Sequence, residues 1–190
     1  MVGLLQTVGH LLPYHLFSYG ALLGTELFQT FVNTKLCFKY LPMREFLVLQ
    51  KRVFPIYFAS QVGLVVLTAA THPPYSIFSL VADTSSTVSL AVVLVTGLLN
   101  WAVYGPRTTT ASFVRRAVHA ISSAPWVLSA NDGVEAHDKQ ENGVEDQEKV
   151  NRANKTFKFN HAMSIHLNAI ALTATVWYGI SLSSHILSGL

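Results

Sequence analysis

The stretch Gly24–Asn33, GTELFQTFVN, sets a glutamate, a glutamine and an asparagine inside a run from Leu11 to Phe38 that carries no other charge before Lys35. An apolar run of that length reads as a membrane span, and a carboxylate at its centre must then be kept from lipid. The composition around it agrees. Hydrophobic residues make up 51% of the 190 and charged residues only 12%, where a soluble domain carries about 25% charge. The fold class expected is all-α, built in a bilayer.

The positions of Lys and Arg divide the chain. They fall at 35, 39, 44, 51 and 52, and then at 107, 115, 116, 139, 149, 152, 155 and 158. The windows without Lys or Arg hold four apolar segments: Tyr14–Thr34, Val53–Ala70, Ile77–Tyr104 and Ala162–Leu187. Each meets or approaches the roughly 20 residues that cross a bilayer. Four spans put both termini on one side and the two basic loops on the other, while the 2–3 connection, THPPYSIF, has no Lys or Arg. The positive-inside bias then places the basic loops in the cytosol and the termini outside or in a lumen. The expectation is a single domain over 1–190, an integral membrane bundle of four transmembrane helices in the endoplasmic reticulum or plasma membrane.

Two segments lie outside the spans. GPRTTTASFVRRAVHAISS begins with Gly105, which suits the end of one helix, and Pro106, which suits the first turn of the next. Val114, Ala117, Val118 and Ile121 recur at helical spacing opposite Arg115 and Arg116. This predicts a short amphipathic helix turned along the cytosolic interface, with Arg107 at its corner weighing more than Arg115. Residues 124–156 are polar and acidic with few large apolar groups, which predicts a mobile cytosolic loop.

Several functions find no support. One cysteine, Cys37, precludes an internal disulfide or a thiolate cage. The basic residues border spans rather than forming a patch, so no nucleic acid is expected as partner. No nucleophile elbow, phosphate loop or paired acid/base motif occurs, and neither enzymatic activity nor a cofactor is expected. The N-terminal segment lacks the basic start and small-residue cleavage site of a secretory signal. The expected partners are the bilayer and either another membrane protein or a second copy of the chain.

Polar residues inside the spans are the candidate site. In the first, Glu26, Thr30 and Asn33 stand at i, i+4 and i+7, with Gln29 at their border. Gly20 and Gly24 form a small-xxx-small pair that predicts close helix packing beside them. Gln61, Asn100, His161, Ser164 and Asn168 are the partners offered by the other spans. For most of these the ordinary role is interhelical hydrogen bonding. Glu26 differs in magnitude, because a central carboxylate costs roughly 2.5–3.5 kcal/mol on insertion scales. Lys35, nine residues on, lies about 14 Å along the helix axis. Glu26 is therefore expected to face the bundle interior, protonated. His10, His15 and His185 are placed to approach one another if the first and last spans are neighbours, but no spacing selects a metal.

Three segments together resemble one family, the transmembrane protein 205-like family of small four-span membrane proteins. The first carries Gly24, Phe31, Val32, Leu41, Pro42, Phe46, Gln50, Phe54, Pro55, Tyr57 and Phe58; the second Asn100, Pro106, Arg107, Thr108 and Thr109; the third His161, Ser164 and Asn168. Glu26 and the acidic 3–4 segment depart from that pattern. The resemblance implies a helical membrane fold and a structural role for Gly24, Pro42, Gln50, Phe54, Pro55, Pro106, Arg107 and Thr108; it implies no reaction. The function expected is a non-enzymatic scaffold or interaction component. The alternative is a small-solute or proton-coupled transporter working through Glu26. A copper- or haem-handling protein is a more distant one.

Overall fold

The computed structural model describes the backbone of residues 11–122 and 136–188, and the side chains of 11–120 and 147–187. Among the described residues every regular element is helical. Helix α1, Leu11–Leu27, passes through a π segment, Phe28–Asn33, into α2, Thr34–Tyr40. Leu41 is extended (φ −100°, ψ 141°) and Pro42 follows it (φ −55°, ψ 147°). A residue before proline is driven from the α region, and proline itself tolerates only a helix start. The chain therefore reverses there into α3, Met43–Ala70. Pro55 lies inside α3 without ending it. It removes one backbone hydrogen bond, which neighbouring helices in a membrane bundle can offset.

The expected third span is broken near its start. Asp83 separates a short α4, Ile77–Ala82, from α5, Thr84–Leu99. Its carboxylate accepts the Ser85 N–H at 3.1 Å, an N-cap that starts a new helix. A second π segment, Asn100–Tyr104, joins α5 to α6, Gly105–Ser122, and α7 runs from Ala136 to Ser188.

Among the described residues three helical stretches are long and apolar enough to cross a membrane: Met43–Ala70, Thr84–Ala120 and Gln147–Leu187. They mark the chain as a membrane protein. The helix that carries Glu26 is not among them. Its polar groups, Glu26, Gln29, Thr30 and Asn33, are the cause, since they lower the hydropathy of the same stretch that packs against α3 and α7.

Two expectations about the peripheral segments are corrected. Gly105 does not end a helix: it is helical (φ −59°, ψ −57°), and its N–H bonds to the Asn100 carbonyl. α6 therefore runs on from α5 and packs along the first half of α7 rather than turning along the bilayer surface. The predicted mobile loop 124–156 is likewise helical from Ala136 onward, while 123–135 lie outside the described residues. Its Glu, Lys, Gln and Ala residues are strong helix formers despite their polarity. Arg152 and Glu148 pair at 3.1 Å across one turn. Val150 supplies a buried contact, as does Ala111 on α6.

This α6–α7 stalk is held by Arg115, whose guanidinium lies 5.1 Å from the centre of the Phe157 ring, and by His119 and Asn154 at 3.2 Å. The order of effects expected for a corner at Arg107 therefore inverts. Arg115→Ala should lower stability by about 0.5–1 kcal/mol through loss of the cation–π contact, and Arg107→Ala by less. Thermal unfolding of the two purified variants against wild type checks this; an Arg107→Ala protein that melts below Arg115→Ala would restore the corner.

The core lies where α1, α3, α5 and α7 meet, around Leu22, Val65, Leu90, Val93, Ala171 and Tyr178. α5 packs along the second half of α7, and α1 along α3.

Candidate functional site: a polar interior in two layers

The inward stripe of α1 is His15, Ser18, Leu22 and Glu26, continued by Gln29 in the π segment. Steps of three and four keep these on one face. Gly20 and Gly24 stand on the other side, exposed, and a Cβ on either would meet nothing within 4 Å. The expected close packing at this glycine pair is therefore absent. Residues two apart on a helix point about 200° from one another, so Gly24 cannot share the face of Glu26.

The first polar layer surrounds Glu26, which is 1% exposed. Its Oε1 accepts the Gln61 Nε2–H at 2.6 Å. Thr175 on α7, fully buried, also acts on the carboxyl. Glu26 Oε2, Gln61 Oε1 and Thr175 Oγ1 nevertheless have no partner of proper hydrogen-bond geometry. Gly97 of α5 fits here, because a Cβ there would lie 3.2 Å from Gln61 Oε1. Beside this group Asn168 donates to Thr30 Oγ1 at 2.8 Å and accepts from Tyr57 at 2.7 Å, joining α7 to the first π segment and to α3. Asn100 donates to the Ser164 carbonyl at 3.2 Å, tying the second π segment to α7.

The second layer lies toward the 2–3 connection. His15 is fully buried, with Nδ1 3.0 Å from the Thr68 carbonyl and Nε2 2.7 Å from the Tyr178 hydroxyl. A carbonyl accepts only, so the imidazole proton sits on Nδ1 and Nε2 accepts the Tyr178 proton. The His72 ring lies 5.5 Å from that of His15, edge-on. Burial lowers the pKa of His72 below the ordinary imidazole range, against a raising influence from Asp83. Gly179 makes room for the Tyr19 hydroxyl, which a Cβ would strike. Leu22, Val65 and Val93 separate the two layers with an apolar seal.

The structure thus joins Glu26 with Gln61, Thr30 with Asn168, and Asn100 with the backbone of Ser164. It does not join the remaining candidates to them. Asn33 donates to Gln29 Oε1 at 2.8 Å, and Gln29 to Thr34 at 3.3 Å, all within the π segment and the first residue of α2. His161 is exposed and stacks on Phe157, one turn away. The sequence alone singled out neither Thr68, Thr175 nor Tyr178, and marked Tyr57 only as a residue of the family resemblance. Thr175 and Tyr178 sit three apart in the last span, seven and ten residues beyond Asn168, so that one polar stripe was present to be seen. His15 meets Tyr178, with His72 as the histidine beside it. His185 lies 3.7 Å from Asp83, and His10 is outside the described residues. No group of three or more His, Cys, Asp or Glu fit to hold a metal occurs among the described residues.

The surface shows two apolar grooves that Glu26 does not line. One, of 480 Å³, runs between α5 and α7 beside Val88, Val92, Ile170 and Trp177; the other, of 340 Å³, lies between α1 and α3 beside Tyr14, Phe17 and Leu67.

A family profile described as a domain of unknown function, DUF4149, matches residues 17–117. The chain is 53% identical over 190 residues to Xanthocillin biosynthesis cluster protein D of Aspergillus fumigatus, with 100% of both chains covered. No solved structure matches it. The chain belongs to the DUF4149 family.

Proposed function

We propose that this member of the DUF4149 family is a non-enzymatic, multi-pass membrane component of a small-molecule biosynthetic assembly, holding or localising its partners at the bilayer. The observation that carries this reading is that the interior polar side chains tie helix to helix. Glu26 meets Gln61, His15 meets Tyr178, and Asn168 meets both Thr30 and Tyr57. Such contacts fix helix register at about 1 kcal/mol each and leave the α6–α7 stalk as the projecting element. The name of the Aspergillus relative, as a biosynthesis cluster protein, supports the same assignment.

Within this reading the α1–α2 helix is a fourth span, which its polar face enters by turning inward. The basic ends of α2, α3, α6 and α7 lie in the cytosol, and the histidine end faces a lumen or the outside. The membrane is that of the endoplasmic reticulum or the cell surface. The resemblance to the transmembrane protein 205-like family belongs to the same proposal.

A second reading, a small-solute or proton-coupled transporter, is favoured by one feature: the carboxylate of Glu26 keeps an unpartnered oxygen inside the bundle. Glu26→Gln separates the two. A scaffold requires only shape and hydrogen bonding, so the variant should accumulate, co-purify with its partners and support product formation as wild type does. A transporter should fold normally in this variant and lose all uptake into proteoliposomes. Glu26→Leu leaves the Gln61 amide without a partner and should cost about 1–3 kcal/mol of stability under either reading.

A further inference from the structure

We infer that Glu26, Gln61 and Thr175 form a binding site for one small alkali-metal cation, which a proton displaces. Four side-chain oxygens from three helices belong to this group: both carboxyl oxygens of Glu26, the amide carbonyl of Gln61 and the hydroxyl of Thr175. Three of the four have no hydrogen-bond partner of proper geometry, the Thr175 hydroxyl lying close enough to act on the Glu26 carboxyl, although all three residues are at least 99% buried. Burying one such oxygen unpaired is costly, and three in one place is a pattern that requires a cause.

Charge narrows the ligand. The ion pairs Arg152–Glu148 and His185–Asp83 do not involve Glu26. The titratable groups on which the Glu26 carboxylate acts include the phenols of Tyr19 on α1 and Tyr57 on α3, both uncharged near neutral pH. A single buried carboxylate is neutralised by a single positive charge, which excludes a divalent ion. The donors are all hard oxygens, with no imidazole or thiolate, which selects an alkali-metal ion over a transition metal. A proton occupies the same carboxylate, so the two compete.

The backbone adds a second observation. α1 leaves α-helical geometry at Phe28, two residues after Glu26, and in the π segment the Thr34 N–H bonds to the Gln29 carbonyl five residues back. Such segments recur where helices are adapted to hold something. Gly97 presents no Cβ to the Gln61 carbonyl, so α5 approaches without displacing it. The site is independent of whether the ion is carried across the membrane or only clamps the helices.

The test is the thermal unfolding of the full chain in lipid nanodiscs, in lithium, sodium, potassium or choline chloride at equal ionic strength. At pH 8 the Tm should rise by several degrees in at least one alkali chloride over choline, since a ligand bound only by the folded state stabilises it. The rise should shrink at pH 5.5 and vanish in Glu26→Gln. Thr175→Val should weaken the apparent affinity about tenfold with the fold intact, and serves if Glu26→Gln does not accumulate. Equal Tm values in all four salts overturn the proposal, as does an unchanged salt response in either variant. Uptake assays are scored separately, so a failed transport reading leaves this result standing.

Discussion

Gly105→Ala is expected to lower stability by about 2–3 kcal/mol, at the upper end of what an added methyl group costs in a packed core. The new Cβ would lie 2.5 Å from the Asn100 carbonyl oxygen and 3.6 Å from Phe58 Cδ2. Neither side yields readily. The oxygen belongs to the backbone and accepts the hydrogen bond of Gly105 itself, closing the π segment. Relief requires the segment to return to α geometry, which removes one residue from the turn and rotates all of α6 by about 100°. Arg115 would then leave Phe157, and His119 would leave Asn154. A cysteine pair at those last two positions, in a Cys37→Ser background, should cross-link with Gly105 present and fail with alanine. Gly63→Ala is the control, since a Cβ there meets nothing within 4 Å. Equal melting and equal cross-linking in the Gly105 variant would show that the π segment does not set the stalk.

His15→Ala should be the more damaging change, at about 3–5 kcal/mol. Two costs combine: the void left by a fully buried ring, and the Tyr178 hydroxyl left without its acceptor. Tyr178→Phe removes only the hydrogen bond and should cost about 1 kcal/mol. Because the two side chains share one contact, the double variant His15→Ala, Tyr178→Phe should be less damaged than the sum of the singles by about 1 kcal/mol. Denaturant or thermal unfolding of the four proteins in one detergent measures that cycle. A His15→Ala protein within 1 kcal/mol of wild type would mean that α1 is anchored elsewhere.

The distribution of charge determined, without any structure, that the chain is helical and membrane-embedded. Hydropathy over some 20 residues is a property of consecutive positions, and so is the inward aim of Glu26, since one polar group among apolar neighbours has a single favourable side. The helix reversal at Leu41–Pro42 is equally local. The partners were not legible. Whether Asn33 reaches across to another helix or back to Gln29 depends on a π segment that no pairwise spacing announces. The stalk was misread for a related reason: a polar sequence is helical or mobile according to what it packs on, and α6 lies more than a dozen residues away in the chain. Gly105 and Pro106 read as a helix boundary, and only the packing of α6 along α7 made them a continuation. His15 shows the same division. The sequence identified a histidine near the membrane surface, but the 163 residues between it and Tyr178 left their contact to the tertiary fold, where burying the imidazole required both of its nitrogens to find partners.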